Sequence, residues 1–238
     1  MKDDPRTGRV DPVILTRFLV RETMGTVMAG VALFWAAGTV AWPMGWVVAA
    51  IYAAWVAGMA AVLIVLEPEL IAERLGPKKG GKSWDFVILA LLGMANLARL
   101  IVAGLDRRYG WTPADTFSLP VMIAAAAVAA AGYGLFVWAT ASNAFFSQQV
   151  RLQEERGQSV ATGGPYRFVR HPGYAGALLF EAFAPIALGS LWAVIPSIAG
   201  AVALVVRTSL EDRALRSELG GYAEYAGHTR FRLVPGIW

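Results

Sequence analysis

The sequence predicts an all-α fold: a polytopic membrane bundle of about six transmembrane helices, the last two a short hairpin. Three observations carry that prediction. Hydrophobic residues make up 57% of the 238 positions and charged ones 16%, with a mean hydropathy of +0.52, which is too apolar for a soluble domain of this size. The apolar residues form blocks long enough to cross a bilayer, for which about 20 helical residues are needed. Lysine and arginine fall almost entirely on one side of the resulting topology.

In chain order the apolar blocks cover residues 18–40, 45–66, 86–105, 119–139, 174–188 and 191–206. The first four are of spanning length. The last two are short and separated only by Gly189 and Ser190, so they read as a tight helical hairpin embedded among the others. Counting that hairpin as one element gives five. Of the 21 Lys and Arg residues, all but Arg99, Arg107 and Arg108 lie on the side of the N-terminal arm. The positive-inside rule then puts both termini in the cytoplasm. Segment 67–82 reads as a short amphipathic helix at the interface followed by a basic, glycine-rich turn. Segment 141–160, with Phe145, Phe146, Val150 and Leu152 as an apolar stripe, reads as a continuation of the fourth helix out of the bilayer, ending at Gly157. No internal repeat and no separate soluble domain is visible. The charged start, MKDDPRTGRVDP, lacks the pattern of a cleaved signal peptide.

Composition also restricts function. There is no cysteine, which excludes disulfides, thiolate metal sites and a cysteine nucleophile. The two histidines lie in different segments, so no metal site is expected. A sequence pI of 9.6 in a soluble protein would suggest nucleic acid; here membrane topology accounts for it, with lipids and not nucleic acid as the partner.

Residues 163–176, GGPYRFVRHPGYAG, concentrate the chemistry. Gly163, Gly164 and Pro165 break any helix. Pro172 suits the first turn of the helix that follows, where its missing N–H costs nothing. A loop carrying Arg167, Arg170 and His171 on a buried helix N-terminus is a natural anion site. The competing reading is a basic anchor that only fixes the helix in the membrane. The second block is the tail, VRTSLEDRALRSELGGYAEYAGHTRFRLVPGIW. At helical spacing Arg207, Glu211, Leu215 and Glu218 share a face, with Arg207 and Glu211 a turn apart and able to pair. That helix should stop at Gly220-Gly221. Tyr222, Tyr225, His228, Arg230 and Arg232 then form an aromatic and basic return. The plain alternative is an exposed amphipathic tail.

Together, GPYRFVRHPGYAG, the helical hairpin, R-x-x-x-E-D-x-x-L, Y-x-x-Y and a terminal R-x-P-G resemble the isoprenylcysteine carboxyl methyltransferase and phospholipid methyltransferase superfamily. The resemblance covers the C-terminal half, from about Asn143 to Trp238. Where the family pattern commonly has two glutamates, this chain has Glu211-Asp212. The resemblance implies an integral-membrane enzyme using S-adenosyl-L-methionine, with N-terminal helices over 1–140 and a methyltransferase core over 141–238 in one integrated domain, the C-terminal helix and tail closing a cofactor pocket. The implied cofactor-binding residues are Tyr166, Arg170, His171, Pro172, Tyr174, Gly176, Glu211, Asp212, Tyr222 and Tyr225. Arg170 and His171 suit the cofactor carboxylate, Glu211 or Asp212 its amino or ribose groups, and the tyrosines its adenine or sulfonium. Glycines at 173 and 176 would let it approach the helix. The implied catalytic residues are Arg207 and Glu211, acting on a lipophilic small-molecule or lipid acceptor that enters from the bilayer. A carboxylate acceptor is favoured; a phospholipid amine is the alternative, and for it Glu211 or His171 would serve as base.

Other polar residues keep two readings. Asn96 and Arg99 lie a turn apart on the third block, and Glu181 lies in the fifth; an Arg99–Glu181 pair joining helices competes with a substrate contact. Asn143 either caps the fourth helix or reaches the cofactor. His228 reads as interfacial. Rival functions are a sterol-reductase-like NADPH enzyme, for which the chain is short, and a transporter, which leaves the basic loop and tail unexplained. The alanine- and arginine-rich composition points to a prokaryotic cell membrane.

Overall fold

The computed structural model describes residues 11–75 and 80–238. The charged N-terminal arm before Asp11 and the basic turn at 76–79, both invoked above, lie outside the described residues. Eight α-helices and no strand occur among those described. Long helices start where the sequence supplies their caps. Asp11 precedes α1 (Pro12–Ala37), and its carboxylate accepts from the Val13 N–H at 2.7 Å, satisfying one of the donors a helix start leaves open. Proline occupies the first turn of α1, of α2 (Pro43–Val65), of α5 (Leu119–Ala141) and of α6 (Pro172–Ala187), where φ is already helical and no N–H is missed. Gly38 and Gly110 close α1 and α4 (Ser83–Tyr109) in the left-handed conformation.

Five helices are long and apolar enough to cross a membrane: α1, α2, α4, α5 and α7 (Val194–Glu218). The expected sixth is α6, which at 16 residues is too short. The terminal hairpin is therefore unequal. α7 does not end with its apolar block but continues through the charged residues to Glu218, 25 residues in all. The short α3 (Glu69–Glu73) sits where an interfacial helix was expected. The fourth helix does not continue to Gly157: α5 ends at Ala141, and residues 142–163 are irregular apart from a 3₁₀ turn at Glu154–Arg156. Side chains hold this segment instead of a helical backbone. Arg74 donates to the Phe146 carbonyl at 3.1 Å, and Arg151 and Arg156 reach Glu73 and Glu69 on α3, each at 2.9 Å.

α5 and α6 form the most extensive helix pair. A Cβ placed on Gly176 would lie 2.2 Å from the Gly132 carbonyl oxygen, and one on Gly132 2.5 Å from that of Gly176, so small residues let the two backbones touch. The alanine face of α5 (Ala125, Ala126, Ala129) and Phe180 of α6 belong to the same buried core. On the outside of α1, Met24, Val27, Met28, Val31 and Trp35 are exposed, as lipid-facing side chains are.

A charged cluster lies inside the bundle. Arg99 of α4, fully buried, pairs with Glu181 of α6. It also donates to the Tyr52 hydroxyl of α2 at 2.9 Å and to the Asn96 side-chain oxygen, which accepts from Tyr52 as well. The guanidinium stands 5.0 Å from the Phe180 ring centre. The Arg99–Glu181 pair joins α4 to α6, and the hydrogen bonds of Tyr52 add α2. At the Tyr109 end of α4, Asp106 accepts from the Thr112 N–H and hydroxyl at 2.7 and 2.6 Å and from Ser190. That staple fixes the α6–α7 turn to the end of α4.

Candidate functional site

At the opposite end of the bundle, irregular segment, basic loop, α6 N-terminus, α7 and α8 (Tyr222–His228) surround a cavity of about 80 Å³ that opens to solvent. The basic loop makes a 3₁₀ turn at Gly164–Arg167 and enters α6 at Pro172. The tail holds it in place: the Arg170 and His171 N–H groups donate to the carbonyls of Phe231 and Arg232, both at 2.9 Å. Loop and tail thus form one wall, as their position on a common side implied.

Arg170 and Asp212 form its rigid part. Arg170 donates to Asp212 through Nε at 2.7 Å and Nη2 at 3.2 Å, and through Nη1 to the carbonyls of Thr229 and Arg230 at 2.8 and 2.7 Å. Asp212 also accepts from Tyr222 at 3.0 Å, Arg232 at 3.0 Å and Arg216 at 3.1 Å, with His171 Nε2 at 3.4 Å. A carboxylate this crowded with donors has little capacity left. Asp212 does not line the cavity, so the expectation that it would reach a ligand's amino or ribose group is corrected: it organises the wall. Arg170 lines the cavity, but its donors are committed to Asp212 and the tail.

Several predicted residues do face the space. Tyr166, His171, Tyr174, Glu211, Tyr222 and Tyr225 all line it. The His171 and Tyr174 rings are parallel, with centroids 5.8 Å apart, and the Tyr174 hydroxyl donates to Glu211 at 2.5 Å. Tyr225 donates to the Tyr166 carbonyl at 2.6 Å. Burial pushes the Tyr225 phenol up to about 12, and raises Tyr166 and Tyr222 as well, Tyr222 further because Asp212 is beside it. These tyrosines remain neutral donors. Asn143 does not cap α5: its side-chain oxygen accepts from the Phe145 N–H at 2.9 Å beyond the helix end, and its amide donates to the Tyr166 hydroxyl at 3.2 Å in the cavity wall.

Other expectations change. Gly176 faces α5 and not the cavity, because the Gly132 backbone occupies the space beside it. Gly173 lines the cavity, though a Cβ there would meet the Phe146 ring at 2.7 Å. Pro172 is buried as the first residue of α6 and lies outside the lining. The helical Arg207–Glu211 ion pair does not form. Arg207 turns to Asp85 of α4, donating through Nε at 2.7 Å and Nη2 at 3.0 Å, and stands 5.0 Å from the Tyr174 ring centre. Its link to the cavity therefore runs through Tyr174. His228 is exposed at the end of α8, apart from the cavity. Sequence reasoning missed Asp85, and missed that 145–161 forms the second wall. An acid in the first turn of a helix looks like an ordinary favourable end charge, and only its full burial gives Asp85 away.

The fold defines a helical membrane protein with a cavity of polar and aromatic lining at one end of the bundle. Residues 122–217 match the Isoprenylcysteine carboxyl methyltransferase (ICMT) family, which bears out the resemblance and supports a membrane methyltransferase of that kind. The matched segment takes in most of α5, all of α6 and α7 up to Ser217, and leaves α8 and the tail outside. No curated protein matches the chain.

Proposed function

We propose that the protein transfers a methyl group from S-adenosyl-L-methionine to a lipophilic carboxylate that reaches the pocket from the bilayer. The observation that carries this reading is the composition of one cavity: Glu211, His171 and four tyrosines with the start of α6. The residues fit the cofactor. Phe145, Phe146 and the tyrosines offer flat apolar faces for an adenine and electron-rich faces for a cation. The Gly173 and Tyr174 N–H groups at the start of α6 make no hydrogen bond among the described residues, and free donors of that kind suit a carboxylate. This replaces Arg170 as the direct anion partner. Glu211 offers the counter-charge for an ammonium or a sulfonium.

When bound, the cofactor supplies an electrophilic methyl group on a positively charged sulfur. Its transfer to a carboxylate oxygen neutralises both charges, so the protein's task is alignment and exclusion of water. Tyr174 holds Glu211 in place by its hydrogen bond, and Arg207, outside the lining with its guanidinium over the Tyr174 ring, acts on an acceptor carboxylate as a nearby positive charge and not by direct contact in this conformation. A carboxylate needs no base. For an amine acceptor, Glu211 or His171 would take the proton. In this reading the pocket and both termini face the cytoplasm.

Calorimetric titration with S-adenosylhomocysteine, with NADPH as control, tests the proposal. Binding of the first but not the second is expected, abolished in His171→Ala and weakened about tenfold or more in Glu211→Ala, the loss of one charge-assisted contact. NADPH binding without S-adenosylhomocysteine binding would overturn it in favour of a reductase.

A further inference from the structure

Asp85 lies outside the matched segment, on a helix in which the sequence shows no motif, yet it is fully buried beside the pocket. Its two oxygens are divided between two clients. One accepts from Arg207 Nε at 2.7 Å; the other accepts from Arg207 Nη2 at 3.0 Å and from the Val150 N–H at 2.8 Å. Arg207 Nη2 also donates to the Gln148 carbonyl at 2.6 Å. The backbone completes the junction, since the Lys82 N–H donates to the Val150 carbonyl at 2.9 Å. Gly81 leaves room for it: a Cβ there would fall 2.2 Å from the Gln149 side chain. Gln149 and Val150 line the cavity. The start of α4 is thus built against the strap that walls the pocket.

A buried carboxylate is costly unless it is paired and hydrogen-bonded. Asp85 meets that condition only while Arg207 and the strap are both docked, so its charge enforces their joint placement. The consequence for Arg207 is specific. Asp85 and Gln148 occupy Nε and Nη2, while Nη1 makes no hydrogen bond among the described residues. The guanidinium is presented by one free edge, above the ring of Tyr174.

We infer that Asp85 is a positioning residue of the pocket: it fixes the free edge of Arg207 and clamps residues 147–151 as the pocket wall. This rests on the proposed function for what the pocket holds, but not for the clamp itself. The test uses the full chain in detergent, with Asp85→Asn, Asp85→Glu and Arg207→Lys, read by hydrogen exchange and by S-adenosylhomocysteine titration. Asp85→Asn should speed exchange over 147–151 about tenfold, the effect of losing one charge-assisted hydrogen bond, with α5 and α6 unchanged, and should weaken S-adenosylhomocysteine binding in step. Asp85→Glu, which keeps the charge, should recover part of both. Arg207→Lys should give the same local exchange, and the double variant with Asp85→Asn no further change, because the two residues act through one contact. Unchanged exchange over 147–151 in Asp85→Asn overturns the clamp, as does full additivity in the double variant. Equal loss in Asp85→Glu and Asp85→Asn also overturns it, because shape and not charge would then be the determinant. If wild type fails to bind S-adenosylhomocysteine, the cofactor reading falls while the exchange result still decides the clamp. Should Asp85→Asn not fold, Arg207→Lys alone decides by the same exchange measurement.

Discussion

Buried arginine–carboxylate pairs at two levels of this one bundle can be compared, one among the helices and two at its end. Arg99 and Glu181 lie among the helices, with Tyr52 and Asn96 as further partners. Arg170 with Asp212, and Arg207 with Asp85, lie at the end of the bundle. The chemistry is the same; the surroundings differ. Arg99 is fully buried among the helices, and its partner Tyr52 borders an apolar groove lined mainly by α1 and α2. The assembly at the end borders a cavity and fixes side chains that face it: His171 beside Asp212, and Tyr174 beneath Arg207. Buried charge in a membrane protein is thus a poor indicator of function by itself. What separates the two is the kind of cavity each borders: an apolar groove beside Tyr52, and a cavity lined by His171, Tyr174, Glu211 and Tyr222 at the end of the bundle.

The largest expected effect tests the Arg99 assembly. Glu181→Ala leaves the Arg99 cation without its counter-charge, which should cost about 3–5 kcal/mol. Thermal melting should fall sharply, while protein that remains folded binds S-adenosylhomocysteine as wild type does. Loss of that affinity in the folded fraction would join the two assemblies into one. Next in size, Gly176→Ala forces a methyl group against the Gly132 backbone, an overpacking cost of about 1–3 kcal/mol. Melting should drop more for this variant than for any substitution in the pocket lining, and an unchanged melting curve would show that α5 and α6 can separate freely. The smallest effect sharpens the pocket side. Tyr174→Phe removes the hydrogen bond to Glu211 and should raise the S-adenosylhomocysteine dissociation constant about threefold to tenfold, near 1 kcal/mol, with melting unaffected.

The sequence showed the fold class because the bilayer imposes it: uninterrupted apolar blocks have few alternatives to helices. It also showed which loop and which tail meet, because Gly163 to Gly176 and the Glu211 region carry special residues at fixed spacing. Three things were not legible. The irregular course of residues 142–163 is held by ion pairs from α3 to Arg151 and Arg156, contacts remote in sequence. The partner of Arg207 looked like Glu211, one turn away; rotation of α7 in the bundle gives it Asp85, 122 residues back. Asp212 looked like a ligand residue because it adjoins Glu211, yet neighbours on a helix point about 100° apart, so one faces the cavity and the other the Arg170 wall.

The shortness of α6 has a consequence for how such a pocket would be supplied. Starting from the Ser190 turn that Asp106 holds at the far end of the bundle, its 16 residues advance only ~24 Å along the axis. A hydrocarbon layer is ~30 Å thick, so with the Ser190 turn at one of its boundaries, His171 and the free amides of α6 would fall short of the other. A molecule dissolved in the bilayer reaches that level by lateral diffusion, with no transfer through water. Under the proposed function, turnover would then follow the acceptor's mole fraction in the lipid. Diluting the membrane with inert lipid at constant acceptor should slow the reaction, and adding aqueous volume should not.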